Sequence, residues 1–385
     1  MANFPPFVKK QVIIETMEKL NCRERLIRTL NYEQVDRAIY GVHTGGWPET
    51  IERWKREGLP ADAEMAQWLT EQYPDRDRWE WKGHWFFPFP PFEKEIISED
   101  SRTVLYKNHE GILMRERKDQ PFSSMPQFVK FPVETREDFT SFVRDRLRPN
   151  LEERLGEETL AGLQGYKDRD FPLIVISDRW GGFFGPIRNL TGVEKLCKLF
   201  YDDSAFVEMM MDTFADYLIA MLDKLLSYTD IDVFGFWEDM AYKTGPLISP
   251  DFVKKYMVPR YKRVTEFLRS RGVEWIALDS DGLVTDLLPH WLDAGINTIY
   301  PFEPQSGMDV VKIRRKFGRD LRMWGGIDKR VLAKGKIHID EELRRVKPLI
   351  EEGGYVAHPD HSLPPDVPLQ NFLYFMEKLR GVVGL

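Results

Sequence analysis

Short apolar runs alternate with longer amphipathic stretches from about residue 171 to the end of the chain. Most of the amphipathic stretches have a helical period and end at a glycine, which is typical of successive βα units. A run of such units favours a parallel sheet with helices packed against it. The predicted strands cover residues 172–177, 232–237, 275–278, 297–302, 321–324 and 355–357.

The first 135 residues follow a different pattern. Helical periodicity covers residues 8–30, 48–58 and 61–72, and a short apolar run at 38–42 predicts an early strand. Alternation on both sides of Asn108–Gly111 predicts a hairpin over 101–118, with His109 exposed at its turn.

We therefore expect one domain over residues 1–385, with N-terminal helices, a first strand and a hairpin in 1–135 and regular βα units in 136–385. The length and the repeated units predict a (β/α)8 TIM barrel with an N-terminal helical and hairpin extension. A doubly wound sheet is the alternative. It is disfavoured because no glycine-rich phosphate loop follows any strand.

Residues 79–92 read WEWKGHWFFPFPPF, an unusual mixture of aromatic residues and prolines. Proline disfavours both a regular helix and a central strand. Two interpretations remain open: a rigid lid over a pocket, or an apolar plug that covers one end of the barrel.

Composition excludes several classes of protein. The chain has a net charge of −7 with acids and bases interspersed, and no block of Lys or Arg suggests nucleic acid or an anionic membrane as a partner. No apolar run approaches the length of a membrane span, and the N-terminus lacks the pattern of a signal peptide. The two cysteines have no metal-ligand spacing. We expect a cytoplasmic protein without disulfides.

Acidic and imidazole side chains collect at the ends of the predicted strands. In a barrel of parallel strands these ends share one mouth, where active sites lie. Asp279 and Asp281 are two apart on an extended segment and therefore point the same way, although Asp281 is also placed to cap a following helix. Such a cluster suits a divalent cation or contains a carboxyl with a raised pKa. The set is Asp178, Arg179, Glu238, Asp239, Asp279, Asp281, Glu303, Asp328, His358, Asp360 and His361.

Two basic side chains beside this cluster have candidate roles in binding. His43 follows the early apolar run and is flanked by glycines that allow a ligand to approach closely. Arg179 is suited to bind a substrate carboxylate through two hydrogen bonds, or to neutralise Asp178 or Glu238.

Several segments together resemble the uroporphyrinogen decarboxylase superfamily. They include PLIVISDRWGGFFGPIRNLTG, WEDM, LDSDG, FEPQSGMDV, GGIDKR and GGYVAHPDHSLPPDVPLQNF. This superfamily contains the true uroporphyrinogen decarboxylases and the corrinoid-linked methyltransferases. The resemblance implies a single (β/α)8 barrel with its site at the carboxyl ends of the strands.

The chain departs from both branches at functional positions. True decarboxylases carry an early Arg-rich segment that binds the carboxylates of the tetrapyrrole, but no Arg lies between Arg37 and Arg53 here. The methyltransferases bind zinc through a His-X-Cys strand end and a later Cys. Asp279-Ser280-Asp281 and His361 occupy those positions in this chain, so the predicted site is rich in oxygen.

From the resemblance and these departures we predict a methyltransferase of the corrinoid-linked type. It would move a methyl group from a small O- or N-methylated compound to a corrinoid on a partner protein. Asp279, Glu238 and His361 are the predicted catalytic residues, and a divalent metal, with zinc as one candidate, would be held by these three and Asp281. The predicted substrate contacts are His43, Trp47, Asp178, Arg179, Trp180, Phe183, Phe184, Trp237 and Glu303.

Two other interpretations stay open. One is a metal-free lyase that decarboxylates a porphyrinogen or a smaller acid, with Asp279 or Glu238 as the proton donor. The other is a barrel without catalytic activity that binds a tetrapyrrole or a corrinoid.

Overall fold

A computed structural model describes residues 18–41, 45–119 and 125–385, without the side chains of His84 and Asp178. The chain begins with three short helices, α1 (Cys22–Leu30), α2 (Pro48–Arg56) and α3 (Met65–Gln72). Asn21 and Glu24 form a capping box at the start of α1, which satisfies backbone N–H groups that the first turn leaves free. The earlier part of the helix predicted over 8–30 lies outside the described residues.

The first strand of the parallel sheet is β1 (Glu80–Lys82), inside the segment interpreted as a lid or a plug. The prediction of a strand at 38–42 is wrong for the residues described, because 38–41 form no strand. Instead, the Tyr40 N–H donates to a carboxylate oxygen of Asp77 at 2.7 Å. A side-chain acceptor therefore replaces the neighbouring strand that the apolar run suggested.

The predicted hairpin is confirmed and belongs to a larger accessory sheet. Strands β2 (Glu95–Glu99), β3 (Thr103–Lys107), β4 (Leu113–Arg117) and β5 (Gln127–Lys130) form an antiparallel sheet in that order. His109 lies exposed between β3 and β4, as predicted. Two helices, α4 (Arg136–Arg146) and α5 (Leu151–Gln164), then lead to the regular units.

Strands and helices alternate through the rest of the chain. They are β6 (Leu173–Ile176), α6 (Phe184–Thr191), α7 (Val193–Asp202), α8 (Ser204–Tyr228), β7 (Val233–Trp237), β8 (Ala241–Tyr242), β9 (Gly245–Pro246), α9 (Pro250–Phe252), a π-helical turn (Val253–Met257), α10 (Val258–Ser270), β10 (Trp275–Asp279), α11 (Leu288–Asp293), β11 (Thr298–Tyr300), α12 (Val310–Phe317), β12 (Arg322–Trp324), α13 (Lys329–Lys334), α14 (Lys336–Glu352), β13 (Tyr355–Val356) and α15 (Leu369–Val382).

The central sheet has seven strands in the order β1-β6-β7-β10-β11-β12-β13, and every neighbouring pair is parallel. All seven carboxyl ends therefore lie along one edge. Beyond β13, Leu363 makes a parallel bridge with Gly46, and the Trp47 N–H donates to the Leu363 carbonyl at 3.1 Å. Over the described ranges this contact is a single bridge. The described strands thus form a mixed α/β fold with a parallel sheet of seven strands, which is consistent with a TIM-barrel-like fold, and an eighth strand is not among them.

Helix α8 shows how the outer layer is held against the sheet. Met210, Phe214, Leu218 and Leu222 recur every four residues and are fully buried. This spacing places them along one face of the helix. Burial of each such side chain stabilises the fold by about 1.5–3 kcal/mol. Among the helices described, none is both long and apolar enough to cross a membrane.

Candidate functional site

A cavity of about 400 Å³ opens at the carboxyl edge of the central sheet. The final residues of five consecutive strands line it: Ile176, Trp237, Asp279, Tyr300 and Trp324. Parallel strands that end at the same height bring these side chains together although they are far apart in sequence. The structure brings several of the predicted strand-end residues to this cavity, together with the predicted contact Trp237. They are Asp239, Asp279, Asp281, His358, Asp360 and His361.

One side of the cavity is built from four rings, Trp79, Trp81, Tyr300 and Trp324, which we call the aromatic wall. The Trp79 and Trp324 rings are nearly parallel with centroids 6.4 Å apart, and Trp81 lies 5.8 Å from Tyr300 and 6.2 Å from Trp324. Trp79 and Trp81 precede and follow Glu80 in the sequence. Their side chains point the same way because side chains alternate along a strand. The segment 79–92 thus contributes to the cavity through its short strand, Glu80–Lys82, and the residue before it.

The polar part of the lining is acidic. Asp239, Asp279, Asp281 and Asp360 line the cavity together with His358 and His361, and no Lys or Arg is among the described lining residues. Four carboxylates around one cavity repel one another unless protons or cations compensate.

Asp281 and His361 face each other at the mouth, with 3.7 Å between Asp281 Oδ2 and His361 Nε2. Burial raises the pKa of Asp281 to about 7. The carboxylates of Glu303 and Asp239 also raise this pKa, and the Lys329 ammonium lowers it. Burial also lowers the pKa of His361. At neutral pH the pair is therefore largely a neutral imidazole beside a carboxyl that readily gains or loses its proton.

A buried ion cluster lies behind the mouth. The Lys329 ammonium is 3.6 Å from both Glu303 Oε1 and Asp360 Oδ2, and the Lys329 N–H donates to Asp360 Oδ1 at 2.9 Å. Glu303 accepts the Gly282 N–H at 3.1 Å and so stabilises the turn after Asp281. Burial raises the pKa of Asp360 to about 6 even though Lys329 opposes the shift.

Asp239 is held in the lining by Arg188, which donates to its backbone oxygen at 2.6 Å and to its carboxylate at 3.1 Å. The φ angle of Asp239 is 44°, a left-handed conformation that side chains other than Gly, Asn and Asp rarely adopt. The Arg188 guanidinium also covers the ring of Trp237, 5.2 Å from its centroid. One arginine thus fixes two neighbouring residues of the lining.

Glu238 is absent from this lining, which contradicts its predicted role as a metal ligand. Its fully buried carboxylate accepts the N–H groups of Phe183, Phe184 and Gly185 at 2.7, 2.7 and 2.9 Å, and the hydroxyl of Tyr261. Glu238 therefore caps the start of α6 from beneath the sheet edge. Burial raises its pKa to about 7, and the four hydrogen bonds act in the opposite direction.

Three predicted pocket residues belong to the core. Trp180, Phe183 and Phe184 are fully buried among the helices that cover the sheet, so they do not wall the cavity. Trp180 stacks on Phe142, with ring centroids 5.8 Å apart. After β6 the chain turns through a 3₁₀ helix at Asp178–Trp180, and this turn carries the following aromatic residues away from the mouth.

The remaining predicted contacts lie at the margin or beyond it. Arg179 reaches Glu110 at 3.6 Å, and Trp47 is 40% exposed at the start of α2; neither lines the cavity. Glu303 lies behind the lining, as described above. His43 falls outside the described residues, as does the side chain of Asp178. The alternative that Asp281 caps a helix is not observed, because α11 begins only at Leu288.

The cavity does not fit the predicted metal centre. Within the described residues, no three side chains of His, Cys, Asp or Glu are arranged to hold a metal ion. Asp281 and His361 approach each other, but the carboxylate of Glu238 is bound by backbone N–H groups on the other side of the strand.

The residues that the sequence prediction missed are mainly aromatic. Tyr300 and Trp324 end strands that were predicted correctly, so the strand-end argument applied to them as well as to the acids. Trp79 and Trp81 alternate around Glu80, but the prolines that follow concealed this strand signal. Lys329 has no signal in the sequence that would distinguish it from a lysine at the surface.

The raised pKa of Asp281 predicts a measurable stability effect. The pKa of Asp281 is about 7 in the native state and 3.8 in the unfolded state. Between these two pH values, the native state keeps a proton on Asp281 that the unfolded state has already released. Stability is therefore lost as pH rises through about 7.

We expect Asp281→Asn to raise the melting temperature at pH 8, with a smaller gain at pH 5. Thermal unfolding at both pH values tests this. Asp62→Asn, an exposed charge removal, serves as the control, and an equal gain at both pH values would contradict the assignment.

Comparison with known proteins identifies the family. The family model of uroporphyrinogen decarboxylase matches residues 171–382, which is more than half of the chain. The chain belongs to the uroporphyrinogen decarboxylase family. Its matched region spans the units from β6 to α15 and so contains Asp279, Asp281 and His361.

Individual relatives of this uroporphyrinogen decarboxylase family member are distant. A methyltransferase from Methanosarcina mazei superposes with a TM-score of 0.60 at 17% identity, covering 94% of this chain and 100% of that one. This likeness establishes a shared fold. A B12-independent methionine synthase from Shewanella sp. W3-18-1 gives a TM-score of only 0.43 at 12% identity, with 89% of this chain and 98% of that one covered.

One stretch is similar to a curated sequence. Over 55 residues the chain is 42% identical to the 5-methyltetrahydropteroyltriglutamate–homocysteine methyltransferase of Paraburkholderia phytofirmans. The match covers 14% of this family member and only 7% of that relative's length.

Proposed function

We propose that the chain is a methyltransferase that takes a methyl group from a small O- or N-methylated compound and passes it to a corrinoid on a partner protein. The observation that carries this proposal is the cavity itself. It is about 400 Å³, walled by aromatic rings, and its ionisable lining consists of carboxylates and imidazoles. A small, uncharged or cationic, largely apolar compound suits such a pocket. The fold shared with the Methanosarcina methyltransferase supports the same class of reaction.

The lining disfavours the decarboxylation of uroporphyrinogen. A substrate with many carboxylates would face Asp239, Asp279, Asp281 and Asp360 without any Lys or Arg among the described lining residues. Juxtaposed like charges cost several kcal/mol at an interface from which water is excluded. The cavity thus favours the transfer of a group from a neutral or cationic compound.

The residues of the chain can support either kind of methyl donor. In both, the bond from oxygen or nitrogen to the methyl carbon breaks and its electron pair stays on the leaving atom. When bound, a reduced corrinoid would supply the electron pair that takes the methyl group. An ether oxygen leaves more easily when it gains a proton, which a protonated Asp281 would donate. A quaternary nitrogen leaves as a neutral amine, and an ionised Asp281 would instead balance its charge before the reaction.

The test is methyl transfer to reduced cobalamin. We expect the purified chain to convert cob(I)alamin to methylcobalamin, followed by absorbance, with at least one donor from a panel of methylated aromatic ethers and methylated amines. The control is the same mixture without the protein. The absence of methylcobalamin with every donor, together with carbon dioxide release from uroporphyrinogen or a smaller acid, would favour the lyase alternative.

A further inference from the structure

We propose that the cavity binds a methylated ammonium cation, held against the aromatic wall and balanced by Asp279 and Asp281. The inference rests on the proposed function and names its donor class, a compound in which the methyl group is attached to a positively charged nitrogen.

The aromatic wall supplies the surface that such a cation requires. Three of its four rings are tryptophans, the side chain whose face attracts cations most strongly, and their centroids lie within about 6.4 Å of a neighbouring ring. An ammonium group in contact with two or more of these rings would lie within the roughly 6 Å over which cation–π attraction acts. In a desolvated site this attraction corresponds to a gain in affinity of about thirtyfold.

Part of the wall remains accessible. Trp79 and Trp81 are only half-buried, so a ligand can reach them from the cavity. No Lys or Arg of the described residues lies over the rings of Trp79 or Trp324, whereas Arg179 and Arg188 cover the ring of Trp237. If these rings were only part of the hydrophobic core, neighbouring side chains would fill the space beside them and no open cavity would remain there.

The charge of the lining points to a cation rather than to a neutral ring. Four aspartates line the cavity. Arg188 pairs with Asp239, and the Lys329 ammonium is engaged by Glu303 and Asp360. Asp281 keeps 39% of its side chain exposed, so its carboxylate is available to a ligand. The groups that set its protonation are Glu303, Asp239, Lys329 and His361. A bound positive charge would favour the ionised form of Asp281 and release a proton.

The acidic lining also restricts the rest of the ligand. A carboxylate oxygen on the ligand would be repelled by the aspartates of the cavity. A methylated ammonium compound without a carboxylate therefore fits better than one that carries a carboxylate.

Binding of four small probes tests the inference. By titration calorimetry we expect tetramethylammonium and choline to bind the full-length chain, and betaine, which carries a carboxylate, to bind more weakly than choline. The uncharged isostere of choline, 3,3-dimethylbutan-1-ol, has the same shape without the charge. We expect choline to bind at least about tenfold more tightly than this isostere, because only choline gains cation–π attraction. Equal affinities, or no binding of either cation, would overturn the proposal.

Variants locate the effect in the aromatic wall. Trp79→Leu should reduce the ratio of choline to isostere affinity toward one, while Trp79→Phe should keep most of it. Tyr242→Leu, which removes an exposed ring outside the cavity, should leave the ratio unchanged. An unchanged ratio in Trp79→Leu would contradict the role of this ring.

The outcome also separates this inference from the proposed function. If the cations fail to bind but methyl transfer from aromatic ethers succeeds, the donor class is wrong and the methyltransferase proposal stands. If no methylated compound binds or reacts, both fail.

Discussion

Replacing Asp281 with Asn is expected to raise the KM for a methylated ammonium donor by about 10- to 100-fold, while kcat stays within a factor of about three. A hydrogen bond or contact to a charged group contributes about 1.5–3 kcal/mol, which corresponds to this range of affinities. The positive charge on nitrogen disappears as the amine leaves. Asp281 therefore stabilises the bound donor at least as much as the transition state, and its loss appears in KM.

The division between KM and kcat decides between the two roles of Asp281. Initial rates of methylcobalamin formation over a range of donor concentrations provide the measurement. With an aromatic ether as the donor, a fall of about 10²–10⁴ in kcat with KM unchanged would instead identify Asp281 as the proton donor to the leaving oxygen. Asp62→Asn removes one exposed negative charge elsewhere and should change neither constant.

Replacing Glu238 with Ala should lower the free energy of unfolding by about 3–5 kcal/mol. The substitution leaves three backbone N–H groups at the start of α6 and the Tyr261 hydroxyl without their acceptor in a fully buried position. Each unsatisfied buried donor costs about 1–3 kcal/mol, and the sum is reduced where water or a small shift compensates.

Urea unfolding of the variant measures this loss. Glu238→Gln keeps one acceptor oxygen and should fall between the wild type and the Ala variant. Glu341→Ala, at an exposed position in the middle of α14, should change stability by no more than about 0.5 kcal/mol. A Glu238→Ala protein as stable as the wild type, with lost ligand binding, would return Glu238 to the functional residues.

Strand-end residues face the cavity as predicted where the chain stays extended. In β10 and the residue pair that follows, Asp279 and Asp281 face the cavity and Ser280 is buried behind them, as alternation requires. The same alternation accounts for the error at Glu238. Trp237 faces the cavity, so the next residue must turn the other way. Proximity to a strand end alone was therefore not enough to assign a site residue.

Local patterns failed where the chain leaves the extended state or where a strand is very short. The turn after β6 redirects Trp180, Phe183 and Phe184 into the core, and no periodicity spans a turn of that kind. Strand β1 has three residues and is stabilised by pairing with β6 some 90 residues later, a long-range contact that the local sequence cannot reveal. Because this contact could not be predicted, the sequence did not show that β1 belongs to the central sheet.

The position of β1 also bears on how the protein can be divided. The family-matched region, 171–382, begins after β1 and would leave out Trp79 and Trp81. A fragment cut to that region would expose the backbone N–H and C=O groups of Leu173–Val175 that now pair with Glu80–Lys82. Unpaired strand edges recruit other chains. Such a fragment would tend to self-associate, and it would retain the acids of the mouth while losing half of the rings opposite them.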